Sequence, residues 1–406
     1  MSGDPDLAYE PIAEVGERLR RGQLSPVALV ERCIERIEAL NPALRAFITV
    51  TTDLAHEQAR AAQRELQAGR WRGPLHGIPV AVKDFYDTAG VRTTAAFEPF
   101  RDRVPARDAA MVVRLREAGA VLLGKTNMHK LGMGTTSLDS AFGAVVNPWS
   151  AEHVAGGSSG GSAVALAAGL CFATIDTDAI GSGRLPAAIC GVTCHKPTFG
   201  LLSGEGILAG EKADPVILAL SHPSVMARLA EDARLALAGL TGETLDDRPI
   251  TRLGLASNFS ATAELRAAFA EATRPFAELG LATRPVRIPF QRASFDTSAI
   301  ERHRAEIDAE LFAEVDALAL PTLAAPTPTV KEARARGDNA VAPDNTFFCN
   351  YFGLPALTLP CGSDERGLPV GLQLVGPHGA DGRILRLAEA YQTAIRWHFR
   401  PPPAQI

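Results

Sequence analysis

The chain has 406 residues, of which 46% are apolar and 21% charged, with a formal net charge of −5. That length holds one large domain or two ordinary ones, and the charge leaves no basic footprint for nucleic acid or an anionic membrane. No run approaches the roughly 18 apolar residues of a membrane span, the N-terminus lacks the parts of a signal peptide, and the six cysteines follow no metal or disulfide spacing. A cytoplasmic protein with reduced thiols, free of metal and organic cofactors, is the expectation.

Ser25-Pro26 predicts a helix N-cap with proline at the first helical position. Leu29, Val30, Cys33, Ile34 and Ile37 then form one helical stripe, and Asn41-Pro42 should end it. Phe47 to Val50 reads as a strand. Gly77 to Val82 reads as a buried strand whose end delivers Lys83. A helix over Asp108 to Ala118 should stop at Gly119 and lead into a strand at Val121 to Leu123. Next come a helix near Ser162 to Ala168 and a strand near Phe172 to Ile175. Later elements are a helix near Glu264 to Ala272 and strands at Ala317 to Leu320, Leu354 to Leu359 and Val370 to Val375. Asp381 to Tyr391 is the final helix. Interleaved helices and short apolar strands predict an α/β fold, a sheet with helices on both faces.

Two glycine-rich turns each present a hydroxyl. They are Gly156-Gly157-Ser158-Ser159-Gly160-Gly161 and Asp178-Ala179-Ile180-Gly181-Ser182-Gly183-Arg184. Glycine serves where backbone bends sharply or approaches a ligand closely. A phosphate-binding loop is an alternative for the first turn, but it would need a lysine directly before its Ser or Thr. A helix from the first turn and a strand back toward the second are excursions of similar length, so the two serines can meet. Neither turn fits the Gly-x-Ser-x-Gly elbow, and none of the nine histidines sits in a triad motif. Lys83 is the candidate base. A lysine carried inside loses solvation, which favours its neutral, proton-accepting form. The alternative is a surface lysine paired with its neighbour Asp84.

These residues resemble the amidase signature family. Gly156 to Ala163 matches its signature loop. Asp178 to Arg184, with Pro186, Cys190-Gly191 and Lys196-Pro197-Thr198, matches the stretch carrying its nucleophile. Pro74 to Pro79 with Val82-Lys83-Asp84 matches the strand carrying its lysine. Gly124 to Met128, Asn350 to Ala356 and Gly367 to Gln373 also fit. The resemblance implies a single amidase-type domain over 1–406 with a central mixed twisted sheet. N-terminal helices would occupy about 8–70, the signature core about 71–210, a shortened substrate-side region about 211–316, and C-terminal strands and helix about 317–398. It implies Ser182 as nucleophile, Ser158 on a cis peptide as proton relay, and Lys83 as general base. Amides of Ala179, Ile180, Gly181 and Ser182 would form an oxyanion hole. Ser159, Asp178 and Arg184 would hold the loops, and Gly132, Met133 and Gly134 would face the substrate.

The chain also departs from that pattern. Ile180 stands where glycine is usual, so position 180 should keep φ below zero, with its side chain narrowing the pocket. His129-Lys130 replaces an acidic pair, and His195 a usual leucine. The stretch from about Pro289 to Ala317 is short, which predicts an unroofed cleft over Ser182. The expected activity is cleavage of a small-molecule amide, carbamate or ureide through an acyl-enzyme, in a chain whose assembly is open up to a homodimer. The alternatives are an amidotransferase subunit releasing ammonia from glutamine, and a catalytically silent ligand-binding relative.

Overall fold

Eleven strands form one mixed sheet in a computed structural model that describes residues 7–289, 296–397 and 400–403. They are β1 (Phe47–Val50), β2 (Pro79–Lys83), β3 (Val121–Thr126), β4 (Ala173–Asp178), β5 (Thr193–Lys196) and β6 (His222–Ala227). The remainder are β7 (Arg252–Ala256), β8 (Ala282–Val286), β9 (Ala317–Pro321), β10 (Ala356–Ser363) and β11 (Pro369–Val375). Their order is β1-β3-β2-β4-β6-β5-β10-β11-β9-β7-β8. β3, β2 and β4 run parallel to one another, as do β9, β7 and β8. The strands between those groups pair antiparallel.

β2, β3, β4 and β11 are buried at every residue, which requires cover on both faces. The wholly buried helix Gly160–Ala167 and its neighbour Arg184–Cys190 supply one layer. Helices Ala230–Thr241, Ala263–Glu278 and Asp381–Ile395 pack together as the other. A second apolar cluster, around Ile300, Ile307, Leu318, Phe348 and Tyr351, fills the space beside β9, and Ala179 and Ile180 pack against it.

Ser25 caps helix Pro26–Leu44, its Oγ accepting from Val27 N at 3.1 Å. That helix does not end at Asn41-Pro42. The helix carries Pro42 near its end without its amide donor, and the last turn closes instead at Arg45, which adopts φ 52 and donates to Asn41 O. β3 runs past Leu123 to Thr126, and Ala263–Glu278 continues through Pro275. β2 begins at Pro79, because Gly77 turns with φ 80.

Candidate active site

The carboxyl ends of parallel strands in an α/β sheet open onto a crevice. β2 and β4 deliver Lys83 and Asp178 there. Lys83 is fully buried and stands 2.6 Å from Ser158 Oγ, with its Nζ donating to Thr177 Oγ1 at 2.9 Å. Burial pushes its amine down to about 8 against the opposing charges of Asp176 and Asp178. The surface pairing with Asp84 does not form. Asp84 accepts from Thr94 N at 2.9 Å and faces Lys125 at 3.8 Å. Ser158 enters on a cis peptide after Gly157, just ahead of helix Gly160–Ala167. Its carbonyl accepts from His129 N at 2.9 Å.

The two serine turns meet through backbone, Ser159 N donating to Ser182 O at 3.1 Å. Among the described residues no hydrogen bond links the Ser158 and Ser182 hydroxyls. Asp178 organises the second turn. Its carboxylate accepts from Arg184 Nε and Nη2, both at 2.9 Å, and from Gly181 N at 2.8 Å, Gly183 N at 3.2 Å and Arg184 N at 3.2 Å. Burial alone would raise this carboxyl, but Arg184's charge and hydrogen bonds hold it well below the usual range. Arg184 is itself anchored by Gln373 Oε1 at 2.7 Å and Asn350 Oδ1 at 2.6 Å.

Ile180 keeps a negative φ, and the positive angle falls on Gly181 at 127. A Cβ on Gly181 would lie 2.3 Å from Thr346 Oγ1. The Ile180 carbonyl accepts from that hydroxyl at 2.6 Å. The Ile180–Gly181 peptide is therefore pinned at both ends, which corrects the oxyanion expectation. The Gly181 amide is committed to Asp178, while those of Ala179, Ile180 and Ser182 have no partner among the described residues.

A Cβ on Gly132 would lie 3.7 Å from Ser158 Oγ, so the start of the 132–134 turn borders Ser158. Met133 is 72% exposed, whereas Gly134 backs onto the buried His129 ring. Ser182 is 5% and Ser158 1% exposed, and the Pro343–Thr346 loop meets the Ser182 turn through the Thr346–Ile180 hydrogen bond. Within the short stretch, residues 290–295 lie outside those described. Thr177, Thr346, Asn350 and Gln373 were missed as site residues. Asn350 and Gln373 lie inside the matched motifs, but nothing local marks their convergence on Arg184.

His129, Asp139 and Asp338 place one ligand atom each within 4.8 Å of one another. Lys130 Nζ already bridges to Asp139 at 2.5 Å, so an ammonium supplies the positive charge there. Two further lysines are buried. Lys125 is tied to the Tyr86 carbonyl and to Thr93 Oγ1 at 2.9 Å, and Lys196 to Pro197 O at 3.1 Å. Neither contacts a serine of the two turns among the described residues. No helix among those residues is long and apolar enough to cross a membrane.

The amidase family profile matches residues 28–300 and 291–385, two segments that overlap within the short stretch. A glutamyl-tRNA(Gln) amidotransferase subunit of Roseiflexus sp. (strain RS-1) is 32% identical over 490 aligned positions, covering 97% of this chain and 98% of that one. A crystal structure of an amidase superposes with a TM-score of 0.82 at 30% identity, covering 95% of this chain and all of the other. The peptide amidase of Stenotrophomonas maltophilia gives a TM-score of 0.82 at 27% identity over 98% and 99% of the two chains. By sequence and by fold, the chain belongs to the amidase family, enzymes that act on carbon–nitrogen bonds.

Proposed function

We propose that the chain is a serine hydrolase that cleaves a small amide-type substrate through a covalent Ser182 acyl-enzyme. The contact between Lys83 Nζ and Ser158 Oγ carries the reading, since a buried, partly neutral amine against a hydroxyl is an activated proton acceptor. Ser158 passes its proton to Lys83 and takes one from Ser182 as the Ser182 oxygen attacks the carbonyl carbon. The resulting oxyanion faces the unpaired amides of the 179–182 turn. One such donor is typically worth about 10²–10³ in rate. The proton returns through Ser158 to the leaving nitrogen as the C–N bond breaks. Water then attacks the acyl-enzyme by the same route and frees Ser182.

A fluorophosphonate probe tests this without knowledge of the substrate. Ser182 should carry the label, identified by mass spectrometry of the modified peptide. A folded wild type that stays unlabelled overturns the hydrolase reading, and a label elsewhere overturns the nucleophile.

The similarity to an amidotransferase subunit supports a second reading, ammonia release from glutamine within a complex of several proteins. Release of ammonia from glutamine only when a co-purifying protein is present would establish it. Turnover of simple amides by the isolated chain, as monomer or homodimer, would favour the stand-alone enzyme.

A further inference from the structure

A fully buried carboxylate lies beside the proposed base and takes no part in the mechanism above. Asp176 is 0% exposed on β4. The parallel pairing of β2 with β4 places Val82 opposite Ile175. One step further along sets Lys83 beside Asp176, and the next β4 residue, Thr177, supplies the hydroxyl that Lys83 contacts at 2.9 Å. Asp176 Oδ2 accepts from Thr174 Oγ1 at 2.6 Å, and its backbone carbonyl accepts from Tyr86 OH at 2.6 Å. Oδ1 is buried without a hydrogen-bond partner among the described residues.

We infer that Asp176 is a positioning residue for Lys83, its carboxylate stabilising the ammonium that forms when the lysine takes the serine proton. This rests on the Ser182 reading. The physical reason is the cost of creating a positive charge in a dry site. An ammonium there is expensive unless a negative charge compensates it, as the buried aspartate supports the imidazolium in a Ser-His-Asp triad. Asp176 acts through the field, because among the described residues no ion pair joins it to Lys83. The charged and titratable groups facing Lys83 are Asp176 and Asp178 on β4, Cys194 on β5, and His129 of the 129–134 turn, whose burial lowers its pKa and favours the neutral ring. Asp178 is already neutralised by Arg184 at 2.9 Å, and burial drives the Cys194 thiol well above its ordinary value, so it stays neutral. Lys83, Tyr86, Cys171 and Cys194 are the groups that face Asp176, and of these only Lys83 becomes a cation. Burial pushes the Asp176 carboxyl up to about 6, leaving it largely ionised above neutrality.

The test is the pH dependence of fluorophosphonate labelling at Ser182 in wild type, Asp176→Asn and Asp176→Ser. Removing the negative charge makes the lysine ammonium less stable. The rising limb of labelling rate against pH should then move about one unit to lower pH, with a lower plateau, in either folded variant. A purely structural role would lower the rate and leave the limb in place, and that result in a folded variant overturns the assignment. An unlabelled, folded wild type would instead overturn the Ser182 reading, and this assignment with it.

Discussion

Thr346 Oγ1 donates to the Ile180 carbonyl at 2.6 Å, and the amide on the other side of that peptide donates to Asp178 at 2.8 Å. The position where the chain places isoleucine instead of glycine in its second serine turn is thus held from two directions. Ile180 needs no left-handed backbone, since Gly181 takes the positive φ. The half-buried Ile180 side chain rests against the second apolar cluster, with Val216 and Ala219.

Thr346→Val keeps the shape of residue 346 and deletes its hydroxyl. Stability should fall by about 0.5–1.5 kcal/mol, the usual worth of one hydrogen bond. The Ser182 labelling rate should fall about tenfold, because the peptide orienting the neighbouring amides is released. Equal labelling in the variant would mean that Asp178 alone fixes the turn.

Lys83→Ala removes the proposed base. Labelling and turnover at neutral pH should drop by about 10²–10⁴, the usual contribution of general-base catalysis, while circular dichroism stays native. In wild type the active form is the neutral amine, so rate rises with pH through about 8 and levels above it. At pH 7 the rate should be about a tenth of the plateau. A flat profile between pH 6 and 9 would rule out Lys83 as the group that titrates.

How much of this was legible in the sequence follows from where each signal lies. β2, with Lys83 at its end, was readable because Pro79 to Val82 is an unbroken apolar run, and the turns of Ser158 and Ser182 because glycine-rich turns are local. β8 was not, since it is an exposed edge strand carrying Arg284 and Pro285, and edge strands need no apolar face. The long-range contacts that hold the second turn were not legible, because a local stretch says nothing about loops arriving from elsewhere. Thr346 reaches Ile180 across 166 residues and Gln373 reaches Arg184 across 189. Asp176 becomes meaningful only through the register of β2 on β4, which no local pattern encodes.

Gly183 is required by space rather than by backbone angle. A Cβ there would meet Cys194 Sγ at 2.8 Å and Ser224 Oγ at 2.9 Å, both short side chains on strands that cannot swing away. Gly183→Ala should therefore destabilise by about 1–3 kcal/mol through overpacking, read as a lower urea midpoint at unchanged slope. Pairing it with Ser224→Gly, which empties one of those contacts, should recover part of the loss. No recovery would place the strain at Cys194.

Arg184 and Asp178 form a buried pair with both side chains fully covered. Arg184→Met leaves the carboxylate without its cation and should cost about 3–5 kcal/mol, typical of an uncompensated buried charge. Adding Asp178→Asn removes that charge, and the double variant should be more stable than Arg184→Met alone. The same pair sets an acid limit on the wild type. Asp178 titrates lower in the folded chain than its ordinary value of 3.8, so the folded state binds fewer protons than the unfolded chain below that value. Its contribution is fully present above pH 3.8 and is lost progressively as pH falls beneath it. In Asp178→Asn this part of the acid dependence should vanish, which denaturant titrations between about pH 2 and 5 would show as a shallower loss of midpoint. An unchanged slope in that variant would assign the acid sensitivity to other carboxyls.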